Sequence, residues 1–170
     1  MFKHLLVPLD GSKLAELALP MAKSLAGQFN SRITLLQVVA LPYVAGFGHE
    51  SSGTFSDLNS LNQEMKREAA SYMEDKRQML YQAGIQVEAQ IVMGKSPAEA
   101  ILTAVDELEA DTIVMSTHGR SGLMRWVFGS VADKVLRHAH VPIMLVRAPS
   151  EEKAPREAPS GKAGKVEDDG

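Results

Sequence analysis

The sequence predicts an open, three-layer α/β fold around a mainly parallel sheet, and three observations predict it. Short apolar runs of strand length alternate with longer stretches that repeat every three to four residues. Turn residues (Gly, Ser, Asp, Pro) punctuate the changes of period. The chain has 170 residues, 45% of them hydrophobic, which is enough for one domain with a core of its own.

The elements follow in order. His4-Leu5-Leu6-Val7-Pro8-Leu9 is a short apolar run that stops at Asp10-Gly11-Ser12, and reads as a buried strand. Leu14, Leu17, Ala18, Met21 and Leu25 then recur at helical spacing behind Ser12 as candidate N-cap, with Pro20 inside the helix, where it should kink it. Residues 32–39 (RITLLQVV) form a second strand. Residues 40–56 carry no period and much Gly and Ser, and read as a long loop. Leu58, Leu61, Met65, Ala69, Tyr72, Met79 and Leu80 mark a long helix that ends at Gly84. Val87, Ala89 and Ile91 alternate with polar residues, as in a strand with one wetter face. Ser96-Pro97-Ala98-Glu99 has the form of a capping box with Pro at the first helical position, opening a helix to about Leu108. A fourth strand over 112–115, a fourth helix over 130–138 and a fifth strand over 141–146 complete five strands and four helices.

From Ala148 onward the text changes to APSEEKAPREAPSGKAGKVEDDG, with one large apolar residue, Val166. Such a segment cannot bury enough to order itself, so the expected organisation is a domain over 1–147 and a disordered tail over 148–170. The formal net charge is -3. Six acids and four bases of the tail account for about -2 of it, which leaves no basic footprint of the kind a nucleic-acid binder carries. There is no cysteine, which excludes disulfides, thiolate metal sites and cysteine nucleophiles. The apolar run before Asp10 is too short for a signal peptide or a membrane span, so a cytoplasmic protein is expected.

In open parallel sheets, ligands bind beyond the carboxyl ends of the strands, where neighbouring connections leave to opposite faces. Two loops there have chemical content. The first carries Asp10, whose carboxylate repels phosphate and suits ribose hydroxyls or a metal. The second, STHGRSGLMRWVFGS over 116–130, has the opposite character. Gly119 and Gly122 allow close backbone approach, Gly129-Ser130 opens a helix whose N-terminal amides favour an anion, and Arg120 and Arg125 add positive charge. Singly, each residue also fits a plainer role. The glycines fit turns, Ser130 an N-cap, Asp10 a cap of the first helix, His118 a hydrogen-bonded loop residue, and His138 and His140 the capping of a helix C-terminus. The coincidence of an acid and an anion loop beyond adjacent strands favours a site. The sequences G-x-x-x-x-G-K-[ST], G-x-G-x-x-G and G-x-S-x-G are absent.

These residues resemble the universal stress protein family from about Phe2 to Arg147. The family's signature is G-x-x-G, nine residues, then G-[ST]. Ser116-Thr117-His118-Gly119 followed by nine residues and Gly129-Ser130 fits it, with Ser116 in place of the first glycine. LVPLDGS near the N-terminus and VADKVLRHAHVPIMLVR near residue 147 add to the likeness. The resemblance implies a flavodoxin-like strand order 3-2-1-4-5, a homodimer, and ATP bound with Mg²⁺ or Mn²⁺ carried by its phosphates. Pro8 and Asp10 would then line the adenosine side, with Asp10 on the ribose. The main chain near Val38 would meet the adenine edge and Met115 would pack on it. Ser116, His118, Gly119 and Arg120 would follow the ribose and phosphates, and Gly129, Ser130 and Val131 would hold the phosphates. Ala132 stands where some relatives carry a hydroxyl.

An apolar edge strand, Val141-Pro142-Ile143-Met144-Leu145-Val146, is the expected dimer contact. The reading that follows is an ATP-binding stress-response regulator, non-catalytic or a very slow ATPase. The alternatives are a slow ATPase or phosphotransferase using the same loop, and a dimeric interaction module that binds no nucleotide.

Overall fold

The computed structural model describes residues 1–40, 54–94, 96–117 and 129–147, with side chains from residue 59 in the third helix. Five strands, β1 (His4–Leu9), β2 (Arg32–Val39), β3 (Val87–Met93), β4 (Thr112–Ser116) and β5 (Ile143–Val146), form one parallel sheet in the order β3-β2-β1-β4-β5. This is the flavodoxin-like order that the resemblance implies. The helices are α1 (Lys13–Glu16), α2 (Ala18–Phe29), α3 (Thr54–Gln82), α4 (Pro97–Glu107) and α5 (Ser130–His138). Apolar residues of α1, α2 and α3 cover one face of the sheet, with Ala15, Leu19, Met73 and Leu80 buried against Leu5, Val7 and Leu35. Those of α4 and α5 cover the other, with Ile101, Val105 and Val135 against Leu6, Leu36 and Ile113. Burial on both faces explains why β1 and β4 read as continuous apolar runs.

The first helical segment breaks where its proline requires. Pro20 cannot donate to the carbonyl of Glu16, and its ring crowds that carbonyl. α1 ends at Glu16 and α2 starts afresh at Ala18. α1 and α2 are therefore the single kinked helix expected from the sequence, divided at Leu17. Ser12 caps it as expected, its Oγ accepting from the Ala15 N–H at 3.1 Å. α3 ends as its glycine predicts. Gly84 has φ +81, and the N–H groups of Gly84 and Ile85 return to the carbonyls of Tyr81 and Leu80.

Four expectations need correction. α3 begins at Thr54, inside the stretch read as loop over 40–56, of which residues 41–53 lie outside the described part. Ser96 is the N-cap of α4, but its side chain makes no capping bond. The capping box does not form, because the Glu99 carboxylate pairs at 2.7 Å with Lys134 on α5 instead. The N-cap of α5 is Gly129, which puts Ser130 at the first helical position. The fifth strand spans Ile143–Val146 and not 141–146. Val141 and Pro142 precede it, and only the Pro142 carbonyl reaches the sheet, accepting from Ile113 at 3.0 Å. The tail over 148–170 lies outside the described residues.

At the amino ends of the strands, far from the loops of interest, His4 is 5% exposed. Its Nδ1 lies 3.0 Å from the Leu108 carbonyl and its Nε2 2.8 Å from Thr34 Oγ1. A carbonyl only accepts, so Nδ1 carries the proton and Nε2 accepts from the Thr34 hydroxyl. Burial, helped by the Arg32 charge, lowers the His4 pKa below the ordinary 6.5. The unfolded chain therefore binds this proton more readily than the folded one. Stability from this group is full above about pH 6.5 and is lost as pH falls toward the lowered value. Denaturant unfolding followed from pH 7.5 to 5.5 should show stability falling with pH. His4→Gln, which keeps both hydrogen-bonding functions and cannot charge, should have a shallower slope. An unchanged slope would remove His4 as the cause.

Candidate functional site

The connections from β1 to β2 and from β2 to β3 run through α1, α2 and α3 on one face, and those from β3 to β4 and β4 to β5 run through α4 and α5 on the other. The switch point lies between β1 and β4, and Pro8 opens it. Successive residues of a strand present their main-chain groups to alternate neighbours. The Lys3 carbonyl accepts from Arg32 and the His4 carbonyl from Asp111, so odd-numbered residues of β1 face β2 and even-numbered ones face β4. Pro8, with no N–H, is missing its donor on the β4 side. The β1–β2 register runs from His4 to Leu9, whereas the β1–β4 register holds only at Leu5 and Leu6. Beyond that, β4 is hydrogen-bonded in register only with β5, as far as Ser116. A proline in a central strand normally counts against the assignment. Here it ends one ladder and leaves the other intact.

Above this split lies a cleft of about 670 Å³, within the usual range for a small-molecule site. One wall is the turn after β1. Gly11, at φ +83, lets the chain reverse, and the Asp10 carboxylate accepts from the Ser12 N–H at 2.9 Å. The opposite wall is the N-terminus of α5. The Gly129 N–H donates to the Thr117 carbonyl at 3.0 Å, which ties the helix start to the end of β4. Gly129 has no side chain to cap the helix, and no side-chain cap forms. Among the described residues no side chain caps these amides, since Asp133 in the first turn pairs with Arg137, and the positive end of the helix dipole borders the cleft. The contrast with Ser12 on α1 is direct.

Eight of the residues singled out in the sequence line this one cleft: Pro8, Asp10, Val38 and Met115 below, Ser116, Gly129, Ser130 and Val131 beside it. Ala132 also lines it. His118, Gly119 and Arg120, with Gly122 and Arg125, lie outside the described residues. His138 has the capping role considered for it, with Nδ1 donating to the Lys134 carbonyl at 2.8 Å. His140 pairs with Asp106 at 3.4 Å. Among the described residues there is no group of three or more acids and histidines able to hold a metal ion. No helix among them is long and apolar enough to cross a membrane.

The α3 side of the cleft was not anticipated. Gln37, Glu68 and Tyr72 line it together with Met65 and Ala69. Gln37 is 6% exposed, and its Oε1 has no hydrogen-bond partner among the described residues; the buried Tyr72 hydroxyl lies beside the Glu16 carboxylate. Burial first, then the charge of Glu16 and hydrogen bonding to it, then the charge of Asp10, raise the Tyr72 phenol above its ordinary value, so it stays protonated. Burial also works to raise Glu16, but hydrogen bonds from Lys76 and Lys13, each at 3.1 Å, outweigh it and hold that carboxyl below the usual range. The signal for Gln37 was present in RITLLQVV, where one amide interrupts a buried apolar run. Tyr72 was hidden, because its spacing is that of any core residue of a helix.

This arrangement can hold an elongated ligand across the ends of β1, β2 and β4. An anionic group fits at α5, hydroxyls at Asp10, and a flat polar group at the α3 end.

Comparison with known proteins agrees with the architecture. The model of the universal stress protein family matches residues 1–147. Universal stress protein MJ0577 of Methanocaldococcus jannaschii is 30% identical over 159 residues, covering 86% of this chain and 96% of that one. The solved structure of MJ0577 superposes with a TM-score of 0.76 at 27% identity, covering 88% of this chain and 99% of that one. A universal stress protein from Archaeoglobus fulgidus, solved in complex with dAMP, shares the fold with a TM-score of 0.60 at 22% identity, over 85% of this chain and 98% of that one. The chain belongs to the universal stress protein family.

Proposed function

We propose that this protein binds ATP in the cleft above the β1–β4 split and works as a nucleotide-dependent regulator in the stress response, not as an enzyme with ordinary turnover. The observation that carries the reading is the pairing of a carboxylate, Asp10, with an uncapped helix N-terminus, α5, on opposite walls of one cleft. ATP has hydroxyls on its sugar and close to four negative charges on its phosphates, and the two walls match those two parts. The amides of Ser130, Val131 and Ala132 take the phosphates. The Asp10 carboxylate, which has several lone-pair sites, takes the ribose. Met115 packs against the base and the Val38 main chain meets its edge. His118, Gly119 and Arg120 belong to the same assignment by their place in the motif. Mg²⁺ or Mn²⁺ arrives on the phosphates. The Archaeoglobus relative solved with dAMP supports an adenine nucleotide as the ligand class. No acid–base pair is assigned a catalytic role, and the protein is placed in the cytoplasm.

Calorimetry with MgATP should give binding for the wild type and at least about tenfold weaker binding for Asp10→Ala, or ~1.4 kcal/mol. Inorganic triphosphate should lose much less, since Asp10 serves the sugar. Gly129→Asp is the sharper variant. It supplies the cap that α5 lacks, so the melting temperature should hold or rise slightly. It also places a carboxylate where phosphate sits, so ATP binding should be abolished. No ATP binding by the wild type at millimolar nucleotide with metal would discard the reading. Hydrolysis above about 1 per second would replace it with an enzyme.

The same reading includes a homodimer through β5. Ile143, Met144, Leu145 and Val146 are each only half-buried, and β5 ends the sheet. An apolar edge of this kind is a template for pairing. Ile143→Lys should shift light scattering from dimer to monomer. A dimer that survives the substitution would place the contact elsewhere.

A further inference from the structure

We infer that Gln37 and Tyr72 form a base-reading end of the cleft that selects 6-aminopurines over 6-oxopurines, a role that rests on the cleft being a nucleotide site.

With phosphate at α5 and ribose at Asp10, the remaining length of a nucleotide extends over the end of β2 toward α3. Strand alternation sets what it meets there. Leu36 packs on the α4–α5 side of the sheet and Leu35 on the α3 side, so Gln37 projects toward α3. Its partner in the register, Ile91, packs on the α3 side as well. Gln37 is 94% buried by the same measure that leaves it 6% exposed, yet its Oε1 accepts nothing among the described residues. A buried acceptor left unpaired costs stability that an apolar side chain would not. A ligand donor would satisfy it.

The rest of this end is rich in acceptors and negative charge. Asp10 and Glu68 line the cleft, and Glu16 lies near the Tyr72 hydroxyl. Such surroundings suit an amino group and repel a carbonyl oxygen. The protonated Tyr72 phenol, now turned to the Glu16 carboxylate, supplies one donor beside this acceptor when it swings to a ligand. Adenine presents the complement, an amino donor at N6 next to an acceptor at N7. Hypoxanthine and guanine put an acceptor oxygen at position 6, against Gln37 Oε1. With the other edge of the base assigned to the Val38 main chain, the two side chains take the N6–N7 edge.

The test is calorimetry with ATP, ITP and purine riboside triphosphate, which lacks any group at position 6. Wild type should bind ATP about tenfold or more tightly than ITP, since a site built to pair a group rejects the analogue that cannot pair. Purine riboside triphosphate should fall between them. Gln37→Met, of similar length and without polar atoms, should bring the ATP and ITP affinities to within about twofold of each other. Tyr72→Phe should weaken ATP severalfold. A thermal melt of Gln37→Met without nucleotide should match or exceed wild type, because the variant removes an unpaired buried acceptor. A residue needed only for packing would lower the melt and leave the ratio alone. Equal binding of ATP and ITP by wild type, or a ratio unchanged in Gln37→Met, overturns the inference while leaving the nucleotide site standing. Absence of binding by all three nucleotides overturns both.

Discussion

One missing hydrogen-bond donor organises the functional end of this molecule. β1 is the central strand, held by β2 on one side and β4 on the other. Pro8 falls on the β4-facing parity, so the β1–β4 ladder stops after Leu6 while the β1–β2 ladder continues to Leu9. The fold already reverses its winding at this pair of strands. The proline ends the hydrogen bonding at that topological seam, and the turn after β1, the end of β4 and the start of α5 border the cleft beyond it. The strand survives because both of its faces are buried, with Leu5, Leu6 and Val7 at 0% exposure. The price is one main-chain bond, small beside the apolar burial of a central strand.

The crevice is chemically asymmetric, and that asymmetry gives a ligand its direction. At α5 the first-turn amides meet no capping side chain among the described residues. Across from it stand the Asp10 carboxylate and, further toward α3, Glu68 and the Tyr72 hydroxyl. A ligand that is negative at one end and donor-bearing at the other fits in only one orientation. Glu16 is held ionised by Lys13 and Lys76, which fastens α1 to α3 beneath the donor-accepting end. Lys134 and Glu99 similarly link α5 to α4 at the opposite wall. The Lys134–Glu99 pair is exposed and contributes little stability, whereas the Lys76–Glu16 pair is largely sheltered from solvent.

The element sequence was legible because burial on both faces writes strands as apolar runs and helices as periodic ones, whereas the strand order was implied by the family resemblance alone. Gly84 and Ser12 acted as their local chemistry predicts. The capping box at 96–99 did not, because a tertiary partner, Lys134, competed for Glu99 in a way no local window reveals. The start of α3 at Thr54 was masked by a Gly- and Ser-rich approach. Ser130 looked like an N-cap, but the preceding glycine holds that position and leaves the serine inside the helix. The cleft could be foreseen through Asp10 and Gly129-Ser130, which belong to a recognisable pattern. Gln37 and Tyr72 belong to none. Their meaning depends on which atoms lack partners after folding, and that information exists only in three dimensions.

The most direct test of the account is an amide NMR titration of the protein with MgATP. The amides of Ser130, Val131 and Ala132, together with those of residues 9–12, should show the largest shifts, and the two groups should saturate at the same nucleotide concentration. Shifts confined to other surfaces, or saturation of only one wall, would contradict the claim that the β1–β4 split is a nucleotide site.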